Sequence, residues 1–324
     1  MEQSNRHTTN FRLSCLSNGP SKPTCSIAVF AHNEAKNIQQ ALESVAANAR
    51  NKSLTIYVLV NGCSDSTADK VRESAALIEN LWLLETDLAD KAGTWNLFIH
   101  EVLSEKTLTE IETCFFMDGD VTLASGALSL LESVLDENPS AEAAGAMPGT
   151  GRDKNAWRYR MKCNGMLAGN CYALRSDFIQ YIRERNVRMP VGLIGEDFFV
   201  SWLVASNVWR NRFPEKQGVR CIFHEKAEFV FQSLSPWKLA DCKTYLRRKW
   251  RYTLRGIQHQ MLVLTLMHQG LEAMPRNVQE LYLKAPLPSR LVWSGLSNIL
   301  DTAMHLVAVQ WVRAKRGKRS KQGA

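Results

Sequence analysis

Two carboxylates one glycine apart, Asp118-Gly119-Asp120, close the apolar run Cys114-Phe115-Phe116-Met117. Carboxylate oxygens are hard ligands, and two of them beside a glycine that lets the backbone come close can hold a divalent cation. The same triplet also reads as a solvated turn after a strand. A second acidic pair, Glu196-Asp197, follows the stretch Val191-Gly192-Leu193-Ile194-Gly195 and precedes the apolar residues Phe198, Phe199, Val200, Leu203 and Val204. Taken alone, that pair fits first a helix start, where the dipole favours negative charge, and catalysis second. Two segments of turn formers join the set, Ala31-His32-Asn33-Glu34 and Asn61-Gly62-Cys63-Ser64-Asp65-Ser66-Thr67.

The elements that must position these residues follow from hydrophobic pattern. Cys25–Phe30, Leu54–Val60, Trp82–Glu85 and the run at Phe115 are short, apolar and β-prone, as expected of strands buried on both faces. Helical spacing fills the gaps: Ile38, Leu42 and Val45; Val71 and Ala75; then Lys91 through Trp95, Leu97, Phe98 and Val102. Strand and helix alternate four times, which predicts an α/β fold with a mostly parallel sheet. The loops named above all follow strand carboxyl ends and should line one crevice. Further on, a helix is expected over Ala127–Leu135 and a loop-rich passage over 145–165. A short strand is expected within Ala168–Arg175, with a helix at Asp177–Arg183. Cys221–His224 and Ala227–Phe231 read as a closing hairpin or edge pair. The expected organisation is a flexible tail over 1–24, a catalytic domain over 25–235 and a helical region over 236–324.

Taken in order, these segments resemble the family-2 glycosyltransferases with a GT-A fold. Phe30–Glu34 is similar to that family's Pro-x-Tyr-Asn-Glu stretch, Asn61–Thr67 to its Asp-Asp-Gly-Ser-x-Asp-x-Thr segment, and Lys91–Asn96 to its Gly-Lys-x-x-x-x-Asn helix start. The resemblance implies transfer of a sugar from a nucleotide-sugar donor, most simply a UDP-sugar, to a carbohydrate or lipid-linked acceptor. It places Ala31, Asn33 and Glu34 along the base and ribose, Asn61 beside the base, and Asp118 at the ribose or metal. It places Asp120 on a divalent metal, Mn2+ or Mg2+, that bridges the diphosphate. Lys91 would add a point charge there, or would be a solvated lysine at a helix start. Asp197 becomes the general base of an inverting mechanism, and Glu196 orients the acceptor or the base. His224, late in the sequence, becomes a metal ligand, since imidazole suits Mn2+-type sites. The departures are Val60-Asn61 in place of the Asp-Asp pair, and His32 where a Tyr is common. The Gln-x-x-Arg-Trp of membrane-embedded processive synthases is replaced by Leu246-Arg247-Arg248-Lys249-Trp250. With only the Trp intact and no membrane span in sight, transfer of one sugar is expected rather than polymerisation. Lys249 and Trp250 then remain as donor-side residues.

Composition sets the outer bounds. Hydrophobic residues make up 45% of the 324 and charged residues 22%, as in globular proteins. None of the eight cysteines has Cys-x-x-Cys spacing, so free thiols in a reducing cytoplasm are expected rather than disulfides or zinc. A sugar nucleotidyltransferase would show a Gly-rich basic phosphate loop after the first strand, where Ala31-His32-Asn33-Glu34 stands instead. A non-catalytic nucleic-acid binder would interleave basic and aromatic residues, which this chain does not, so no nucleic-acid partner is expected. The net charge of +8 is concentrated at the end, in Arg313, Lys315, Arg316, Lys318, Arg319 and Lys321. Those residues follow the partly apolar segment Arg290–Val312. Together they suit either a helix lying on an anionic membrane surface, at its cytoplasmic face, or a helix docked on the protein with a basic tail.

Overall fold

The computed structural model describes residues 10–19, 22–49, 53–210, 220–232, 239–287 and 299–320. The chain divides into two compact units, one of Met1–Asn186 with Glu215–Gln232, the other of Val187–Pro214 with Ser233–Ala324. This division does not follow the expected boundary at 235, because the segment bearing Glu196-Asp197 falls in the second unit.

The first unit is a nine-stranded sheet. Its strands are β1 (Phe11–Cys15), β2 (Cys25–Ala31), β3 (Leu54–Asn61), β4 (Leu81–Thr86), β5 (Thr113–Asp118), β6 (Val121–Leu123), β7 (Ala143–Pro148), β8 (Cys171–Arg175) and β9 (Cys221–Phe231). They are ordered β1-β4-β3-β2-β5-β8-β7-β9-β6. Strands β4, β3, β2 and β5 run parallel, and every residue of β2 and β3 is buried, which is why both read as unbroken apolar runs. Helices α1 (Ile38–Asn48), α2 (Thr67–Ser74), α3 (Lys91–Leu97), α4 (Glu105–Glu110), α5 (Ala127–Asp136), α6 (Lys154–Asn164) and α7 (Ser176–Glu184) connect them. α3 runs on as a π turn over Phe98–Val102. Trp95 of α3 is fully buried, stacks on Phe116 with centroids 6.2 Å apart, and donates from Nε1 to Tyr172 Oη at 3.1 Å. Phe116 in turn stacks on Tyr172 at 4.9 Å. This aromatic stack fixes α3, and with it Lys91, against β5.

Three sequence expectations need correction. The lead-in over 1–24 is not all tail: Phe11–Cys15 pairs antiparallel with β4, Phe11 opposite Thr86 and Cys15 opposite Trp82. The passage 145–165 is not a loop, since it holds β7 and α6; glycine and proline sit inside β7 because close packing, not chain reversal, uses them. The closing hairpin is one 11-residue strand, β9, both halves of which run parallel to β7. The register shift between Gly145 and Met147 absorbs the polar residues Glu225 and Lys226 as an irregularity of one strand rather than as a turn. Four cysteines, Cys25, Cys114, Cys171 and Cys221, are buried free thiols as expected, whereas Cys15 and Cys163 are exposed.

The second unit contains α8 (Glu196–Ala205), α9 (Leu239–Gln269), α10 (Val278–Lys284) and α11 (Ile299–Ser320). The helical segment expected from Arg290 is described from Ile299 on; residues 290–298 and Lys321 lie outside the described residues. α11 is docked on α9 and α10. Trp311 meets Trp250 and Tyr282 edge-on at 6.4 and 5.8 Å, Lys249 pairs with Asp301, and Arg316 Nε donates to Tyr282 O at 2.7 Å. Ala308 and Val312 on that side are fully buried.

Candidate active site

In the first unit the loops after β2 and β3 are tied to each other by their own polar groups. His32 donates from Nδ1 to Asn61 O at 2.7 Å, and Asn33, held at φ 58°, accepts from Ser64 N at 2.8 Å. Asn33 N donates to Cys63 Sγ at 3.1 Å, Glu34 N to Thr67 Oγ1 at 2.8 Å, and Ala35 N to Asp65 Oδ2 at 3.1 Å. Short Asn, Asp, Ser and Thr side chains replace the ladder partners these loop amides lack.

The carboxylates sit at the same edge. Gly119 N donates to Phe30 O at 2.7 Å, and a Cβ at Gly119 would meet Phe30 O at 2.9 Å and Ile38 Cδ1 at 3.2 Å. Only glycine lets β5 turn this closely against the end of β2. Asp118 is partly exposed and ion-paired with Lys91 Nζ, which lies 5.2 Å over the Phe30 ring. Asp120 is exposed. Burial holds the Glu34 carboxyl above its ordinary pKa, and the negative charges of Asp120 and Asp65 push it the same way against the Asn37 hydrogen bond. A cavity of about 620 Å3 opens beside this edge, lined by Phe11, Arg12, Cys63, Asp65, Arg72 and Asp87 among others.

In the second unit, Gly195 at φ 82° turns the chain into α8 and sets Glu196 and Asp197 in its first turn, both largely buried. Asp197 Oδ1 lies 2.9 Å from Arg255 Nη2, and it also accepts from Phe198 N at 2.9 Å.

The sequence profile of Glycosyl transferase family 2 matches residues 26–195, from β2 to the residue before Glu196. The chain belongs to that family. No curated protein sequence matches it. Among solved structures it is similar to the mannosyltransferase from Pyrobaculum calidifontis, solved with GDP-Man and Mn2+. That likeness has 15% identity over 95% of this chain and 79% of the other, with a TM-score of 0.56. Looser likenesses are the glucosyl-3-phosphoglycerate synthase of Mycobacterium tuberculosis and TarS 1-349 of S. aureus. The first has 13% identity over 72% of this chain and 78% of the other, TM-score 0.46; the second has 15% over 93% and 92%, TM-score 0.45. The GT-A fold of the first unit and the glycosyltransferase class are thereby established.

Within this glycosyltransferase the predicted residues other than Glu196 and Asp197 separate into three groups. Asn33, Glu34, Lys91, Asp118 and Asp120 lie together at the carboxyl edge of the parallel strands. Ala31 and Asn61 reach the same edge and are buried, at 0% and 4% exposure. His224 lies in β9, and Lys249 and Trp250 belong to α9 of the second unit. Phe223 pairs with Gly145 and Phe229 with Pro148, while Phe231 pairs with Val121 next to Asp120. Among the described residues no group of three His, Cys, Asp or Glu side chains could hold a metal ion, so His224 does not join Asp118 and Asp120 in one. Lys249 is committed to Asp301, and Trp250 packs against Trp311. Sequence reading also missed Arg255, Asp65 as the tie to Ala35, and the β4 end at Asp87. Only Asp65 carried a usable signal, the spacing Asp65-Ser66-Thr67, in which Asp65 Oδ1 accepts from Thr67 N at 3.1 Å where α2 begins.

Proposed function

We propose that this glycosyltransferase moves one sugar from a UDP-sugar to an acceptor hydroxyl with inversion, without polymerising. The observation that carries the reading is Asp118-Gly119-Asp120 at the end of β5, pressed by Gly119 against β2 and flanked by the interlocked loops of β2 and β3. The cavity walled by Val60, Gly62 and Asp87 is the candidate seat of the nucleoside base. The donor set fits a divalent cation only in part. Among the described residues no three His, Cys, Asp or Glu side chains converge, so the protein offers Asp120 and Asp118, and phosphate oxygens of the donor must supply the rest. A bound Mn2+ or Mg2+ contributes Lewis acidity toward the leaving diphosphate. The related mannosyltransferase, solved with GDP-Man and Mn2+, supports that chemistry. Lys91, held beside Asp118, supplies a further positive charge close to the diphosphate. Asp197 takes the proton of the acceptor hydroxyl.

The acceptor is proposed to be lipid-linked, met at an anionic membrane surface. Among the described residues no helix is long and apolar enough to cross a membrane. α11, however, turns Leu306 and Val307 outward at 42% and 59% exposure, and exposed Arg313 and Lys315 follow. An outer face of that composition suits the headgroup boundary better than water.

Nucleoside diphosphate sugars tested with Mn2+, scored by slow hydrolysis and thermal shift, decide the donor. Stabilisation by GDP-sugars and not UDP-sugars would overturn the base assignment, and no response to any of them would overturn the reading as a whole. Flotation with anionic vesicles should capture the protein at low salt and release it at high salt; failure to float points to a soluble acceptor.

A further inference from the structure

One face of α9 is applied to the Glu196-Asp197 turn through three residues at helical spacing, Arg255, Gln258 and His259. Gln258 Oε1 accepts from Ile194 N at 2.8 Å, and its Nε2 donates to Tyr282 Oη at 2.7 Å, which ties the turn to α10. The His259 ring stacks on Phe198 with centroids 4.1 Å apart and planes 9° apart. Arg255 lies over Gly195, where an added Cβ would meet its Nε at 2.4 Å, and reaches Asp197 with Nη2. Three side chains thus address four of the five residues from 194 to 198: Ile194, Gly195, Asp197 and Phe198.

The His259 Nε2 is buried without a hydrogen-bond partner. Burial pulls the pKa of this imidazole down to about 4, and the Arg255 charge adds to the effect against Asp197. His259 is therefore neutral at pH 7, and of the two α9 groups facing Asp197 only Arg255 is charged. The opposing neighbour on α8 itself is Glu196, whose negative charge lies one residue away. Conformational freedom at a glycine with φ 82° is the obvious weakness of such a turn. The α9 contacts remove that freedom.

We propose that Arg255 is the positioning residue of the glycosyl transfer, holding the Asp197 carboxylate at one orientation, with Gln258 and His259 immobilising the backbone on either side. This rests on the reading of Asp197 as the base. An arginine suits the task because its planar, permanently charged fork fixes direction as well as charge, which a lysine ammonium does only in part.

The test is a double-mutant cycle on Arg255 and Asp197, read by Mn2+-dependent hydrolysis of the nucleotide sugar, with water in the acceptor's place. Calorimetric affinity for UDP with Mn2+ and the melting temperature serve as controls. Arg255→Gln should lower kcat by ~10- to 10²-fold with UDP affinity unchanged, since a carboxylate displaced by about 1 Å is a poor base. Arg255→Lys should regain part of the rate. In an Asp197→Asn background, adding Arg255→Gln should cost less than about threefold, because its effect passes through the carboxylate. Equal losses in both backgrounds would overturn the proposal, as would a normal rate in Arg255→Gln beside an impaired Asp197→Asn; that second result leaves the base assignment standing. A normal rate in Asp197→Asn alone overturns the base assignment and the positioning role with it. If Arg255→Gln does not fold, Arg255→Lys carries the cycle with the same expectations.

Discussion

The two acidic sites are built by opposite means. Asp118 and Asp120 are exposed or partly exposed, and they are set by the sheet's own backbone: a strand end, a glycine without room for a Cβ against Phe30 O, and loops laced by short polar side chains. Glu196 and Asp197 are largely buried and are set by a helix whose contact residues lie some sixty positions later. The contrast matches the tasks proposed for them. Carboxylates that must collect a hydrated cation and a diphosphate need to meet solvent, whereas a base that must keep one direction needs to be enclosed.

The sharpest way to break this comparison is Asp120→Asn. Losing one hard ligand from a site with so few should lower transfer by ~10³-fold. It should also abolish the Mn2+ dependence of UDP binding in calorimetry, with the melting temperature unchanged. Affinity that stays equal in both proteins, with and without Mn2+, removes the metal role. Next in size is Asp197→Asn, expected to cost ~10²-fold or more in rate while UDP affinity persists. Retention of anomeric configuration in the product would contradict the inverting mechanism that gives Asp197 its role.

The enclosed site also predicts a pH dependence of stability. The His259 pKa is depressed in the folded protein to about 4 from 6.5, so between these values the unfolded chain binds more protons. Stability from this group is fully present above pH 6.5 and is lost as pH falls through the window, by about 3 kcal/mol at pH 4. Urea unfolding at pH 7 and pH 4.5 should show this loss, and His259→Phe should reduce it.

A smaller effect is expected from Gly195→Ala. Both φ 82° and the crowding of Arg255 oppose a side chain, for a cost of roughly 1–3 kcal/mol in chemical unfolding. Hydrolysis should fall as well, whereas an alanine of native stability and rate would mean that the turn is not held as described. Smallest is Lys249→Ala. If its charge serves only Asp301 in a partly exposed pair, stability should change by less than ~1 kcal/mol and transfer by less than twofold. A large rise in donor KM would return Lys249 to the donor side.

What could be read from the sequence follows the same division. Strands β2 to β5 announced themselves because burial on both faces demands continuous apolar residues, and the carboxyl-edge loops followed as the strands' ends. Neither the Arg255–Asp197 pair nor the Gln258–Ile194 bond leaves a local trace, since Arg255, Gln258 and His259 sit in a basic amphipathic helix where solvation explains them equally well. β9 misled for a related reason: Glu225 and Lys226 look like a turn, yet Glu225 pairs with Arg158 and Lys162 on α6. His224 drew attention by residue type and by its late place in the sequence, and nothing local shows whether it joins Asp118 and Asp120; among the described residues no such group of three forms.

The strand Phe11–Cys15 lies along β4, which would otherwise be the rim of the sheet. A shortened protein starting at Cys25, a natural choice if the first residues were dismissed as tail, would leave the outward amides and carbonyls of Leu81–Thr86 open. Such a rim invites a second copy to add its own strand, so trimming should turn a monodisperse preparation into one that self-associates. The same cut removes Asn10, Phe11 and Arg12 from the wall of the 620 Å3 cavity. Insolubility and weakened nucleotide binding would then arrive together, two symptoms of one missing β-strand.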